Sequence, residues 1–317
     1  MPKGELTVTH HASPQPMVFL PGLFEPACIW SPMRRRLGRR AENTLSLQLP
    51  GHTPGDTEAD VAAALQSGAW FDDMAARLRR AFGSRPAVIV GHSTGGMIGL
   101  ALARRHPDVV HSIVLVGGLT SGHRDRKLDL RAALVSNPLV GRSAFLALWR
   151  SWLSTPTLFR LGVLSAAAGR ADLPNAGAWR NHLLACDPMA ILACTHWVLR
   201  ADLKTALAHI DKPILAFIGR SDPIVPAAHQ LRVLRATPNA QGHLMAGGHL
   251  LFIENPEHLE RGLRAWLAQA EPPPTHKQET ADTCPRSSKT PGFNPSPVRK
   301  HPREIPARSA SKLSSVA

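Results

Sequence analysis

The sequence predicts an α/β fold: a mostly parallel β-sheet flanked by helices, carrying a helical cap as an insertion. Three observations lead there. Short runs rich in β-branched residues alternate with stretches of helical period. Most of the runs are continuously apolar, as strands covered on both faces are. One long stretch, residues 119–205, holds helical patterns alone and falls between two strands.

The elements follow in chain order. Met17–Leu20 (MVFL) and Leu45–Gln48 read as the first two strands. Trp70, Met74, Leu78 and Phe82 then recur every fourth residue, and Gly83 supplies the helix stop. Ala87–Val90 (AVIV) is the next strand, and MIGLALARRHP behind it has a helical pattern. Ile113–Val116 (IVLV) and Ile214–Ile218 (ILAFI) bracket the insertion. Asn255-Pro256 opens a last helix, whose Leu259, Leu263, Trp266 and Leu267 form one apolar stripe. Residues 1–118 and 206–270 thus form the core and 119–205 the cap. Residues 271–317, with nine Pro, eight Lys or Arg and no periodic apolar residues, are expected to be a disordered basic tail.

Composition narrows the function. With 44% apolar and 19% charged residues, the 317-residue chain can bury a sizeable core. It contains no Tyr, which excludes any mechanism needing a phenol. No apolar run reaches the roughly 18 to 20 residues of a membrane span, and the N-terminus has no apolar signal region, so a cytoplasmic protein is expected. Cys28, Cys186, Cys194 and Cys284 lack metal-ligand spacing and form no disulfide framework, and Cys186 and Cys194, eight apart, read as buried thiols. His52 and His92 stand isolated beside glycines, without a second ligand at helical spacing. Neither a metal site nor a cofactor-binding loop is expected.

The strongest chemical signal is Gly91-His92-Ser93-Thr94-Gly95, lying between a strand and a helix. A sharp turn there exposes the serine hydroxyl, and glycines flank it because side chains would collide. The helix N-terminus places free N–H groups beside the serine, suited to a developing oxyanion. A serine hydroxyl needs a base, and the base needs an orienting group. Asp222 follows the strand ILAFI in GRSDP, and His249 follows two glycines just ahead of the last helices. His243, in or beside a strand, is the weaker candidate for the base. Ser93, Asp222 and His249 occur in the chain order Ser, Asp, His.

On these motifs the chain, from about residue 16 to 270, resembles the α/β-hydrolase superfamily, in its capped serine esterase and lactonase-like branch. The resemblance rests on MVFLPGLF, LPGHTPGD, VGHSTGG, IGRSDPIVP and GGHLLFIENPE in that order. It implies a second oxyanion donor, the backbone N–H of Leu23, acting with that of Thr94. Pro21 stands where the family usually has His, and Gln48 where it usually has Asp, the latter read as structural drift. A serine nucleophile sets aside the dehalogenase and epoxide hydrolase branches. The expected function is hydrolysis of carboxylic esters, lactones or thioesters through an acyl-enzyme. The alternatives are carbon–carbon bond hydrolysis or cofactor-free perhydrolysis on the same triad, and a non-catalytic ligand-binding module.

Charge bears on partners. The chain carries +14, of which +6 falls in 119–205, where eleven Lys or Arg face five Asp. A cationic rim could attract an anionic or carrier-bound substrate; a solvated arginine-rich surface is the simpler reading. Trp179-Arg180 is a candidate for positioning an acidic substrate, against a plain solvent-facing helix turn. Basic residues are not interleaved with aromatics, so no nucleic-acid partner is expected.

Overall fold

The computed structural model describes residues 15–38, 43–122, 134–168, 172–173 and 175–270. The chain divides into two units, Met1–Pro273 and Pro274–Ala317. The second unit, and the whole of the expected tail 271–317, lies outside the described residues.

A six-stranded sheet organises the first unit, with strand order β2-β1-β3-β4-β5-β6 and every pair parallel. The strands are β1 (Met17–Leu20), β2 (Thr44–Ser46), β3 (Ala87–His92), β4 (Val110–Val116), β5 (Ile214–Gly219) and β6 (Ala240–Met245). Their alternation builds two cores. Met17, Phe19, Val88, Val90, Val114, Val116 and Phe217 face one side, where Trp30, Leu259, Leu263 and Trp266 cover them. Val18, Leu20, Ile89, Ile113, Leu115, Ile214 and Ala216 face the other, against Phe71, Met74, Leu78, Ile98 and Leu100. Both faces are covered over β1, β3, β4 and β5, which is why these strands read as apolar runs.

The helices that matter for the site are α1 (Ser31–Leu37), α2 (Glu58–Ser67), α3 (Ala69–Phe82) and α4 (Thr94–Arg105). Between β4 and β5 come α5 (Gly141–Leu153), α6 (Pro156–Leu164), α7 (Ala176–Ala185), α8 (Pro188–Arg200) and the single turn α9 (Lys204–Leu207). The short α10 (Ala227–Gln230) and α11 (Arg232–Ala236) precede β6, and α12 (Leu251–Glu254) and α13 (Pro256–Ala270) close the unit. Among the described residues no single helix is long and apolar enough to cross a membrane.

Two details depart from the sequence reading. The second strand is Thr44–Ser46 rather than Leu45–Gln48, because Gln48 turns its side chain to accept the Ala27 N–H at 2.9 Å. In α3 the buried stripe is Phe71, Met74, Ala75, Leu78 and Phe82, with Trp70 only half-buried at its margin. Cys186 and Cys194 are buried, as expected, and Cys28 is exposed.

The strand order reverses direction between β1 and β3: the chain runs outward to β2, then returns to β3 and continues the other way. In an open α/β sheet the crevice at the carboxyl ends of such strands is where ligands bind. Leu23 follows β1 and Ser93 follows β3, so both flank that crevice.

Candidate active site

Ser93 occupies the turn between β3 and α4 with φ 48° and ψ −114°. Few side-chain-bearing residues adopt such a backbone, and its neighbours hold it there. Its N–H donates to Val116 O at 3.0 Å, and its carbonyl accepts from Gly96 and Met97 at 3.0 and 3.3 Å. The turn closes so tightly that a β-carbon at Gly91 would meet the backbone of Gly95 and Gly96. One at Gly95 would meet the carbonyl oxygens of Leu20 and Pro21, so glycine is required for the oxyanion loop to pack against α4.

The residues expected as acid and base meet directly. His249 Nδ1 donates to Asp222 Oδ2 at 2.8 Å. The rest of the Asp222 carboxylate is also engaged: Oδ1 accepts the N–H groups of Ile224 and Val225, both at 2.8 Å. Gln230 Nε2 donates to Oδ2 at 2.8 Å. With Nδ1 committed, Nε2 is the nitrogen left to accept a proton. Burial lowers the His249 pKa, as does the nearby His92; Asp222 and Glu25 oppose this without overcoming it. The ring is therefore neutral over a wider range than an ordinary imidazole.

Ser93 reaches the same place by way of β4. Its N–H is bound to Val116, and a β-carbon on the next residue, Gly117, would lie 3.2 Å from His249 Nδ1. Among the described residues no hydrogen bond joins Ser93 Oγ to His249. Such bonds are commonly loose before substrate arrives. His243 is elsewhere, on the exposed strand β6, its ring stacked on Phe217 at 5.4 Å.

The oxyanion loop, residues 21–27, is held at three points. Gly22 N–H donates to Glu25 Oε2, Phe24 N–H to His52 Nε2 at 3.0 Å, and Ala27 N–H to Gln48 Oε1 at 2.9 Å. Among the described residues the Leu23 N–H between them has no protein partner, and neither has the Thr94 N–H at the start of α4. Both expected oxyanion donors are thus unengaged. Phe24 itself has φ 67°, a left-handed backbone that aims its carbonyl at Trp179 Nε1, 2.7 Å away.

Several roles differ from the sequence reading. Gln48 is a clamp on the oxyanion loop rather than drift. Trp179 and Arg180 neither face solvent nor stand free for a substrate. Trp179 is buried on Phe24, and the half-buried Arg180 donates from Nε to Leu153 O at 2.9 Å. His52, read as an isolated residue, is fully buried and binds the loop through Nε2 while its Nδ1 donates to Pro50 O at 3.0 Å. Burial drives its pKa to about 4, against the support of Pro50, so it stays a neutral hydrogen-bonding post. Glu25 escaped notice altogether. The available signal was a lone carboxylate inside the apolar segment LPGLFEPACIW, since a buried acid must find a partner.

Comparison with known proteins shows the family. The model of the α/β hydrolase fold family matches residues 15–256, and the chain belongs to that family. A relative from Serratia proteamaculans (strain 568), named "Putative carbamate hydrolase RutD", is 30% identical over 278 residues, which is 83% of this chain and 94% of its own. A protein of the same name from Caulobacter segnis is 28% identical over 206 residues, 63% of this chain and 73% of its own. Among solved structures, a thermophilic esterase from Thermogutta terrifontis matches with a TM-score of 0.59 at 19% identity, covering 81% of this chain and 91% of that one. The enol-lactonase from Burkholderia xenovorans LB400 matches with 0.54 at 18% identity, covering 80% and 92%. At those identities the two structures share the fold. The chain is a hydrolase of this fold family.

Proposed function

We propose that the protein hydrolyses carboxylic esters through a covalent acyl-enzyme on Ser93. The observation that carries this reading is the His249–Asp222 hydrogen bond of 2.8 Å, held beside a serine on a strained strand-to-helix turn. A rotation of Ser93 Oγ toward Nε2 of the neutral His249 would let the imidazole take its proton as Oγ attacks the acyl carbonyl. Asp222 keeps the proton-bearing Nδ1 turned away and stabilises the imidazolium that forms. The N–H groups of Leu23 and Thr94 receive the tetrahedral oxyanion. The alcohol leaves with the proton from His249, and water then repeats the sequence on the acyl-enzyme.

A second reading, carbamate hydrolysis, is favoured by the name of the Serratia relative. A carbamate carbonyl presents the same electrophilic carbon to the same nucleophile, flanked by nitrogen on one side. Two measurements separate the possibilities. A fluorophosphonate should label the full chain at Ser93, and chromogenic esters should turn over faster than matched carbamates. The reverse preference would favour the carbamate reading. No labelling at Ser93 would remove both and leave a ligand-binding module.

A further inference from the structure

Directly behind the triad lies a second ionisable pair that the proposed chemistry does not use. His92 and Glu25 are both buried, with side chains 1% and 5% exposed. His92 Nδ1 lies 2.9 Å from Glu25 Oε2, and its Nε2 lies 2.9 Å from the backbone carbonyl of His249. A carbonyl can only accept, so Nε2 carries a hydrogen. The same Oε2 already accepts the Gly22 N–H, so the hydrogen between it and Nδ1 is best placed on the nitrogen. With both ring nitrogens donating, the ring is an imidazolium.

We propose that Glu25 and His92 form a buried carboxylate–imidazolium pair that positions the oxyanion donor Leu23 and the base His249 around Ser93. Each end of the pair grips a different catalytic segment. Glu25 draws in Gly22, the residue before Leu23, and a β-carbon at Gly22 would lie 2.7 Å from His92 Nδ1. His92 immediately precedes Ser93 and pins the backbone of His249, its ring 4.6 Å from the His249 ring. Three loops that the chain brings from distant positions are thereby joined through four atoms. Neither residue touches the reacting atoms; both are positioning residues, and the inference rests on the ester or carbamate reading above.

The charged groups facing His92 are Glu25 and Asp222, with His249 adjoining. Burial by itself would lower the His92 pKa. The charge and hydrogen bond of Glu25, the His249 carbonyl and Asp222 outweigh it and raise the pKa above the ordinary imidazole value. A buried charge left without its partner is strongly disfavoured, so removing Glu25 should also discharge His92.

The test uses the full chain and its Glu25→Gln variant. An amide oxygen can still accept both hydrogen bonds, but it has no charge to keep the ring charged. His92 should then lose a proton and one of its two donated bonds, and the loop or the base must shift. Displacements of this kind cost on the order of a hundredfold when they misplace catalytic groups. The expected result is a fall in kcat of ten- to a hundredfold with KM changed less than about twofold, and an equal fall in the rate of fluorophosphonate labelling. Glu25→Asp should recover part of the loss. Labelling of the wild-type chain reports on the hydrolase reading itself, so wild-type labelling with an unaffected Glu25→Gln overturns only this inference. Should Glu25→Gln fail to fold, the wild-type chain still decides. Nitrogen-15 spectra of histidine-labelled protein should show His92 with two equivalent, protonated nitrogens at pH 7.5, and a neutral ring there would overturn the proposal.

Discussion

Ser93 holds a backbone conformation that costs on the order of 1–3 kcal/mol and is kept in place by the hydrogen bonds of its N–H and carbonyl. Replacing it should therefore separate stability from activity. Ser93→Ala is expected to abolish hydrolysis, a loss on the order of a millionfold in turnover for a triad nucleophile. Ser93→Gly should do the same while melting higher than Ser93→Ala, because glycine tolerates φ 48°. A glycine variant that melts lower than the alanine one would show that the turn is not strained. The proposed base, His249, titrates below the ordinary imidazole value. His249 must be neutral to accept a proton, and burial with His92 lowers its pKa below 6.5. The acid limb of kcat/KM should thus lie below pH 6.5 rather than at it. His249→Gln should erase activity, and His243→Gln, out on β6, should leave it intact. An acid limb above pH 7 would mean that the surroundings favour the charged ring.

At the scale of elements, the tight joint is between α4 and the oxyanion loop. A β-carbon at Gly95 would strike backbone carbonyls of residues 20 and 21, which cannot swing aside as a side chain can. Gly95→Ala is expected to destabilise by about 1–3 kcal/mol. It should also lower kcat roughly a hundredfold as Leu23 is displaced, comparable to losing one oxyanion donor. Gly99→Ala, one turn along the same helix, meets only the Ile89 methyl at 3.0 Å and should spare kcat. Melting curves and turnover for the pair read this directly. Much of the joint was legible beforehand: β3, the elbow and α4 announce themselves because apolar runs, glycines and helical period are local signals. The clamps were not. Gln48, His52 and Glu25 each act on a loop residue between 3 and 28 positions away, and polar residues in loops give no periodicity to read. β6 was legible only as a site for His243, because four of its six residues are exposed and it lacks a continuous apolar run.

At the scale of the molecule, the helices between β4 and β5 are bonded to the site rather than merely near it. Trp179 donates to Phe24 O in the oxyanion loop, and Ala166 O accepts the His249 N–H at 2.8 Å. Phe24 also meets Phe145, Trp149 and Trp152 with ring centroids 5.9–6.4 Å apart, so its neighbours on that side are aromatic and apolar. The charge of the segment lies further out, with Arg150 and Arg160 exposed and Arg142 paired to Glu58; Arg124, Arg126 and Lys127 lie outside the described residues. Whether that charge serves a substrate can be read from salt. Raising ionic strength from 0.01 to 0.15 M shortens the Debye length from about 30 Å to about 8 Å, which screens steering but leaves short contacts in place. A neutral ester carries no charge for the arginines to steer, so its kcat/KM should change less than about twofold over that range. An anionic ester of the same acyl group would lose more, and through kcat/KM rather than kcat, because steering acts on encounter. Arg150→Gln with Arg160→Gln should then flatten the anionic profile and leave the neutral one alone. Identical profiles for the two esters would show that the arginines are a solvated surface that does not steer the substrate.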